Sequence, residues 1–158
     1  MVLPSGMKSR VRSIRLAEQA LPEAYAPMSV DIRLEDEIDV TRGDMIVREN
    51  NLPTVSQDLE VMVCWFSGKS MPSDGKYLLL HTTREVRCQV REILYAIDVK
   101  TLRRVQGIDS LSMNDIGRIR LRTSQPLFYD AYRRNRYTGG IILVDAGTHE
   151  TVAAGMII

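Results

Sequence analysis

The stretch Val86–Asp98, VRCQVREILYAID, decides how the rest of this chain is read. Val86, Cys88 and Val90 alternate with Arg87, Gln89 and Arg91, the period-two signature of a strand with one buried face. The phase slips between Val90 and Ile93, which predicts a bulge or bend of the kind that lets a long strand curve round a barrel. A helix is the rival reading. The β-branched content and the alternating start favour the strand.

Working outward, the same grammar recurs. Leu59–Phe66 (LEVMVCWF) is a nearly continuous apolar strand, followed by the loop SGKSMPSDG and a further strand at Lys76–His81 (KYLLLH). Leu111–Gly117 reads as a loop, from which Gly117 opens the strand Arg118–Thr123 (RIRLRT). Ile141–Val144 is a strand, Gly147 punctuates a hairpin, and Thr151–Ile158 returns, with Gly155 marking a close backbone approach or a bulge. Upstream, Met28–Leu34 alternates as a half-buried strand, and Ala17–Pro27 is an Ala/Glu/Pro-rich connection. Val11 and Ile14 sit in a basic strand-like run after a Pro4-Ser5-Gly6 turn. Only Val2 and Leu3 precede that turn, so the chain is expected to begin in mid-strand as part of a longer protein.

Between the two sets of strands lies Glu35–Pro53, EDEIDVTRGDMIVRENNLP. Ile38 and Val40 alternate with acids as an exposed strand end or turn. Arg42-Gly43-Asp44 supplies a turn through the positive φ open to Gly43. The run Met45–Val47 closes a strand before Asn50, Asn51 and Pro53 stop it. An Arg-Gly-Asp triplet also serves as an adhesion ligand at an exposed loop tip of a secreted protein; the turn is the reading preferred here. Many short strands and no long amphipathic helix make the chain all-β.

Composition narrows the function. The chain has 158 residues, 44% hydrophobic and 26% charged, ordinary values for a globular protein. Its net charge of +1 argues against a dedicated nucleic-acid binder. Residues 1–53 carry 7 basic and 9 acidic side chains (−2), and residues 54–158 carry 14 and 11 (+3), too small an asymmetry to name a partner. No apolar run approaches the roughly 20 residues of a membrane-spanning helix. No basic segment with a long apolar run marks a secretory signal. Cys64 and Cys88 are read as buried free thiols of a reducing cytoplasm, ahead of a disulfide or a metal site.

No catalytic, cofactor-binding or metal-binding constellation emerges from the residues. The phosphate-loop pattern GxxxxGK[ST] is absent. His81 stands at a strand end beside Thr82, Thr83 and Arg84, where capping or hydrogen bonding fits better than catalysis. Asp36, Glu37 and Asp39 read as solvated turn acids rather than paired catalytic carboxylates. The basic face Arg118, Arg120, Arg122 is either solvated or anion-binding. Tyr129–Tyr137, YDAYRRNRY, mixes aromatic and basic residues most densely. Tyr129, Tyr132, Arg133, Arg134, Arg136 and Tyr137 form a candidate interface. They could grip phosphates and stack bases, meet a protein partner, or simply pack a surface loop on the barrel.

The order of motifs goes further than composition. VLPSG (Val2–Gly6), LEDEIDVTRGDMIV (Leu34–Val47), YAIDVKTL (Tyr95–Leu102), LSMNDIGRIRL (Leu111–Leu121), PLFYDAYRRNRYTGGIILVD (Pro126–Asp145) and TVAAGMI (Thr151–Ile157) span essentially the whole chain. Together they resemble the translation-factor-like GTPases, and among them the large subunits of bacterial sulfate adenylyltransferase. The resemblance implies a partial domain-2-like barrel over residues 1–50, a linker at 51–54, and a Greek-key barrel like elongation-factor domain 3 over residues 55–158. It also implies a preceding domain that binds GTP and Mg2+, a small catalytic subunit as partner, and in some members a following adenylylsulfate kinase domain. In such an assembly, cytoplasmic and off the membrane, this region is a non-catalytic scaffold. The alternative is a tRNA- or ribosome-facing barrel of an elongation-factor relative.

A barrel that lacks its first strands presents an open edge, and open edges recruit partner strands. Residues 1–50 are therefore expected to pair with another copy, to swap, or to pack on the second barrel. Sedimentation velocity combined with amide exchange checks this; a monomer whose edge amides exchange freely would contradict it.

Overall fold

The computed structural model describes residues 1–158, and almost every regular element in it is a strand. The chain divides into two units, Met1–Leu52 and Pro53–Ile158.

The first unit contains β1 (Val2–Leu3), β2 (Val11–Leu16), β3 (Gln19–Leu21), β4 (Asp31–Leu34) and β5 (Met45–Ile46). β1 pairs antiparallel with β5, Val2 opposite Ile46, so the two ends of the unit meet. β3, β2 and β4 form a separate three-stranded sheet. The Arg42-Gly43-Asp44 turn forms as read: Gly43 has φ +100°. The Asp44 carboxylate accepts from the Thr41 amide at 2.9 Å, which occupies the acid in turn chemistry.

Two expectations for this unit need correction. Ala17–Pro27 is not merely a connection, because Gln19–Leu21 is a strand hairpinned onto β2. Its two-residue turn places Ala17 at φ +52°, a conformation that usually recruits Gly or Asn, so the sequence carried no turn signal. The strand expected at Met28–Leu34 is confined to Asp31–Leu34 and is not half-buried along its length: Ile32 is 44% exposed. Apolar alternation there marks a face without a covering layer.

The second unit comprises β6 (Thr54–Trp65), β7 (Met71–Pro72), β8 (Lys76–His81), β9 (Arg84–Ile97), β10 (Arg104–Val105), β11 (Ser110–Leu111), β12 (Ile116–Tyr129), a one-turn helix α1 (Arg136–Gly139), β13 (Gly140–Val144) and β14 (Thr151–Ile157). Antiparallel ladders run β9–β12–β6–β14–β13–β8, and β8 pairs back onto β9 from Lys76↔Gln89 to His81↔Arg84, closing a barrel of six strands. Consecutive strands β8, β9 and β12 lie side by side with β6 beside β12, the Greek-key arrangement.

Alternation assigns each strand an inner and an outer face. Leu59, Val61, Val63 and Trp65 of β6, Leu79 of β8, Ile119 and Leu121 of β12 and Leu143 of β13 fill the interior. Trp65 meets the Tyr77 ring edge-on at 5.5 Å, and its Nε1 donates to the Lys69 carbonyl at 2.8 Å. The predicted phase slip is a bulge. Against β12 the register of β9 passes from Val90↔Leu121 to Glu92↔Arg120, leaving Arg91 unpaired. A second slip follows, from Ile93↔Ile119 to Tyr95↔Arg118.

The strand expected at Arg118–Thr123 is longer than read, running from Ile116 to Tyr129. Its register against β6 shifts between Arg122 and Leu127, and Pro126, which has no N–H for the ladder, sits inside that irregularity. The loop expected at Leu111–Gly117 is shorter than read, since Ser110–Leu111 pairs with β7 and Gly117 already belongs to β12. A two-residue strand is too short to show a period. Of the thiols, Cys88 is buried, whereas Cys64 is only half-buried because it occupies the outer face of β6; both are free. Burial pushes the Cys88 thiol up to about 12, which keeps it protonated and unreactive.

Gly155 resolves as a close approach. It lies between Ile141 on β13 and Val63 on β6. A Cβ there would stand 2.8 Å from Val63 Cγ1 and 3.0 Å from the Met62 carbonyl oxygen. Gly155→Ala is expected to cost about 1–3 kcal/mol through overpacking. Urea unfolding checks it, and an unchanged midpoint would refute the account.

Candidate interface

The basic face of β12 has partners. Its outward residues stand directly across the ladder from outward acids on the flanking strands, Arg120↔Glu60 and Arg122↔Asp58 on β6, and Arg120↔Glu92 on β9. Arg118 pairs with Glu60, Arg120 Nη1 reaches Glu92 Oε2 at 2.7 Å, and Arg122 Nη1 reaches Asp58 Oδ2 at 2.8 Å. Exposed pairs of this kind contribute about 0–1 kcal/mol each. Their larger effect is to neutralise the face, which leaves no free cation row there for an anion. The acids Asp36, Glu37 and Asp39 are all exposed, and Asp36 accepts from the Ser9 hydroxyl at 2.7 Å.

Tyr129–Tyr137 crosses one end of the barrel, from the close of β12 into α1. Asn135 caps the helix, its side chain accepting from the Tyr137 amide at 3.1 Å. The Tyr132 amide donates to the Ile157 carbonyl at 2.9 Å, tying the turn to β14. Thr138 Oγ1 donates to Asp130 Oδ2 at 2.9 Å. A Cβ on Gly139 would fall 2.4 Å from Tyr132 Cα, so the helix rests on that backbone with no room for a side chain.

His81 fixes the other side of the helix. The ring is 2% exposed, and Nε2 lies 2.8 Å from the Thr138 carbonyl oxygen. A carbonyl only accepts, so Nε2 carries the proton. Burial, helped by the nearby Arg84 charge, lowers the His81 pKa below its ordinary 6.5, while the hydrogen bond to Thr138 works the other way. The residue is a structural hydrogen-bond donor, the role preferred from sequence.

The structure does not bring the six candidate interface residues to one place. Tyr129 is half-buried against the core, with its phenol pKa raised by that burial. Tyr132 and Arg133 line a groove of about 430 Å3 whose other walls include Met62, Arg118, Met156 and Ile158. Arg134 lies 3.9 Å from Asp130, and Arg136 and Tyr137 project into solvent, Tyr137 at 79% exposure. Sequence reasoning missed Met62 and Met156, both outward on adjacent strands and directly opposite one another. The outward phase of LEVMVCWF and TVAAGMI was the available signal. Met156 is 42% and Ile158 51% exposed, so the groove offers flexible apolar side chains beside an aromatic ring and guanidinium groups. That composition suits protein contact. No cluster of three or more His, Cys, Asp or Glu side chains gathers to hold a metal, and no helix is long and apolar enough to cross a membrane.

The family model GTP-eEF1A C-terminal domain-like matches residues 58–158. The bifunctional enzyme CysN/CysC of Rhodopirellula baltica is 49% identical over 157 residues, 99% of this chain and 24% of that protein. The same-named enzyme of Mycobacterium tuberculosis is 42% identical over 99% of this chain and 26% of its own length. Sulfate adenylyltransferase subunit 1 of Bacteroides fragilis is 40% identical over 100% of this chain and 33% of its length. The chain thus spans about a quarter to a third of the curated relatives it matches. Among solved structures, Sup35 complexed with GDP superposes with a TM-score of 0.87 at 20% identity, over 100% of this chain and 39% of that one. That likeness shows a translation-factor fold.

The His81 anchor sets a pH dependence. With the folded pKa below the unfolded one, the unfolded chain binds the proton first. Stability is therefore complete above about pH 6.5 and is lost as pH falls below it, by up to about 1.4 kcal/mol per pH unit. Urea unfolding between pH 7.5 and 5 is expected to show that slope, and His81→Gln is expected to remove it.

Proposed function

The chain belongs to the GTP-eEF1A C-terminal domain-like family, and we propose that it is the barrel region of a sulfate adenylyltransferase large subunit. The observation that carries this reading is the 40–49% identity, over essentially the whole chain, to proteins named sulfate adenylyltransferase subunit 1 and CysN/CysC. On this reading residues 1–50 are the C-terminal part of the second domain, 51–54 the linker, and 55–158 the third. The intact subunit, with a small catalytic partner in the cytoplasm, forms adenosine 5′-phosphosulfate and pyrophosphate from ATP and sulfate, coupled to GTP hydrolysis.

These residues do not form a GTPase phosphate loop. A phosphate loop needs the spaced glycines and Lys-Ser/Thr of GxxxxGK[ST]; here Gly68-Lys69-Ser70 follows Val63, which stands where the first glycine is required, so the pattern is absent. GTP and Mg2+ belong to the family's GTPase domain, and the role of this region is to hold surfaces in register. The rigid closed barrel supports that role, as does the groove at Tyr132, Arg133, Met62 and Met156, which we assign to protein contact with the GTPase domain or the small subunit. The name CysN/CysC fits a kinase domain following the barrel in some relatives. The neutralised face of β12 weighs against the tRNA- or ribosome-facing alternative, because phosphate binding needs free cations.

The test is a reconstitution. In the full-length large subunit, Met156→Glu together with Arg133→Glu is expected to weaken association with the small subunit, or docking of the GTPase domain, by at least about tenfold, as removal of interface anchors does. The isolated 158-residue chain is expected neither to hydrolyse GTP nor to activate sulfate; either activity in it would sink the assignment.

A further inference from the structure

A second concavity on the barrel has an electrostatic character that the scaffold role does not use. It lies where β8, β9 and β12 meet, has a volume of about 430 Å3, and is lined by Lys76, Arg87, Arg91, Arg122, Gln89 and Ser124 among others, reaching down to the buried Tyr77 and Cys88. The ladders place Lys76 opposite Gln89 and Gln89 opposite Arg122, with Arg87 and Arg91 two residues to either side of Gln89 on β9. Arg91 is the residue left unpaired by the first bulge, which offsets it from the regular pleat.

No carboxylate lines this cleft. Arg122 shares its charge with Asp58, but Lys76, Arg87 and Arg91 take part in none of the molecule's ion pairs. The contrast with the neighbouring surface is sharp, since Arg120 and Arg122 on β12 face acids across the ladder and Arg118 pairs diagonally with Glu60. Like charges gathered without counter-charge destabilise the free protein and raise the local potential, more so in a concave wall. Guanidinium forks, an ammonium, an amide and a hydroxyl supply donors, and of the four cations only Arg122 is already held by a carboxylate, that of Asp58. That set fits the several oxygens of a phosphate-bearing anion.

We propose that this cleft binds a small polyphosphate, namely the diphosphate group of inorganic pyrophosphate or of a nucleoside polyphosphate. Size and surroundings favour a small ligand over a nucleic-acid strand. The free cations end where the neutralised β12–β6 face begins, so no continuous basic track leads a backbone away from the cleft. Leu78 forms part of the wall, a partly exposed apolar side chain on which a nucleoside can rest. The inference stands apart from the assignment of the parent enzyme, because it rests only on the geometry of this barrel.

Calorimetric titration of the 158-residue chain with pyrophosphate, ATP and a single-stranded RNA oligonucleotide, at constant ionic strength, tests it. Saturable binding of pyrophosphate or ATP is expected, weakened about tenfold by Arg87→Gln and again by Arg91→Gln, as for loss of charge-assisted hydrogen bonds. Arg120→Gln, on the paired face, is expected to leave it unchanged. Both cleft substitutions are at exposed positions, and unchanged thermal melting without ligand confirms that they fold. ATP binding more tightly than pyrophosphate supports a nucleotide as the ligand, and equal affinities support the diphosphate alone. Absence of saturable binding up to about 10 mM, equal sensitivity to Arg120→Gln, or RNA binding more tightly than either small anion through the same two arginines would overturn the proposal.

Discussion

The ladder between β8 and β9 is the constraint on which the second unit depends. Six strands could lie as an open twisted sheet, but the pairing of Lys76–His81 with Arg84–Gln89 joins the two ends of the strand order and leaves no edge. Closure requires the long strands to bend. β9 answers with irregularities at Arg91 and Leu94, and β12 with one around Pro126. The interior can then be filled from all sides by Trp65, Leu79, Ile119, Leu121 and Leu143 at close packing. The same closure fixes which residues face outward in each row, and so creates both the arginine–carboxylate ladder on β12 and the unpaired cations beside it.

Much of this architecture is legible in the sequence, and for an identifiable reason. Long strands with one buried face print a period-two pattern, so VRCQVREILYAID disclosed both its strand and its slip, and KYLLLH and TVAAGMI lie within a residue of their observed bounds. Elements of two or three residues print no period, which is why β3, β7, β10 and β11 escaped notice, while β1 and β5 were marked only by the turns beside them. Turn chemistry was legible where glycine supplied the left-handed residue, as at Gly43. It was invisible where Ala17 or Thr82 adopted φ +52° under tertiary constraint.

The surface was less legible than the core, because its properties are set by neighbours across strands. RIRLRT could be read as a solvated or an anion-binding face until the ladder placed Asp58, Glu60 and Glu92 across from Arg120 and Arg122. YDAYRRNRY looked like one patch, but the cap at Asn135 and the contact of Gly139 with Tyr132 turn its tyrosines different ways. The residues that complete the groove, Met62 and Met156, come from strands nearly a hundred positions apart in sequence and join only through their register. The arginines of the cleft likewise carry no local signal of being unpaired. That property exists only when the whole ring of strands is in place.

Gly155 gives the barrel a further consequence. Where the missing side chain of Gly155 lets Val63 pack this closely on β14, the wall is thin, and Met156 follows Gly155 directly in the chain. Pressure applied to Met156 from outside has few compressible atoms to cross before it reaches Val63. A partner seated in the groove would therefore be sensed as a change in interior packing, and methyl resonances of the core valines would serve as a built-in gauge of occupancy on the outer surface.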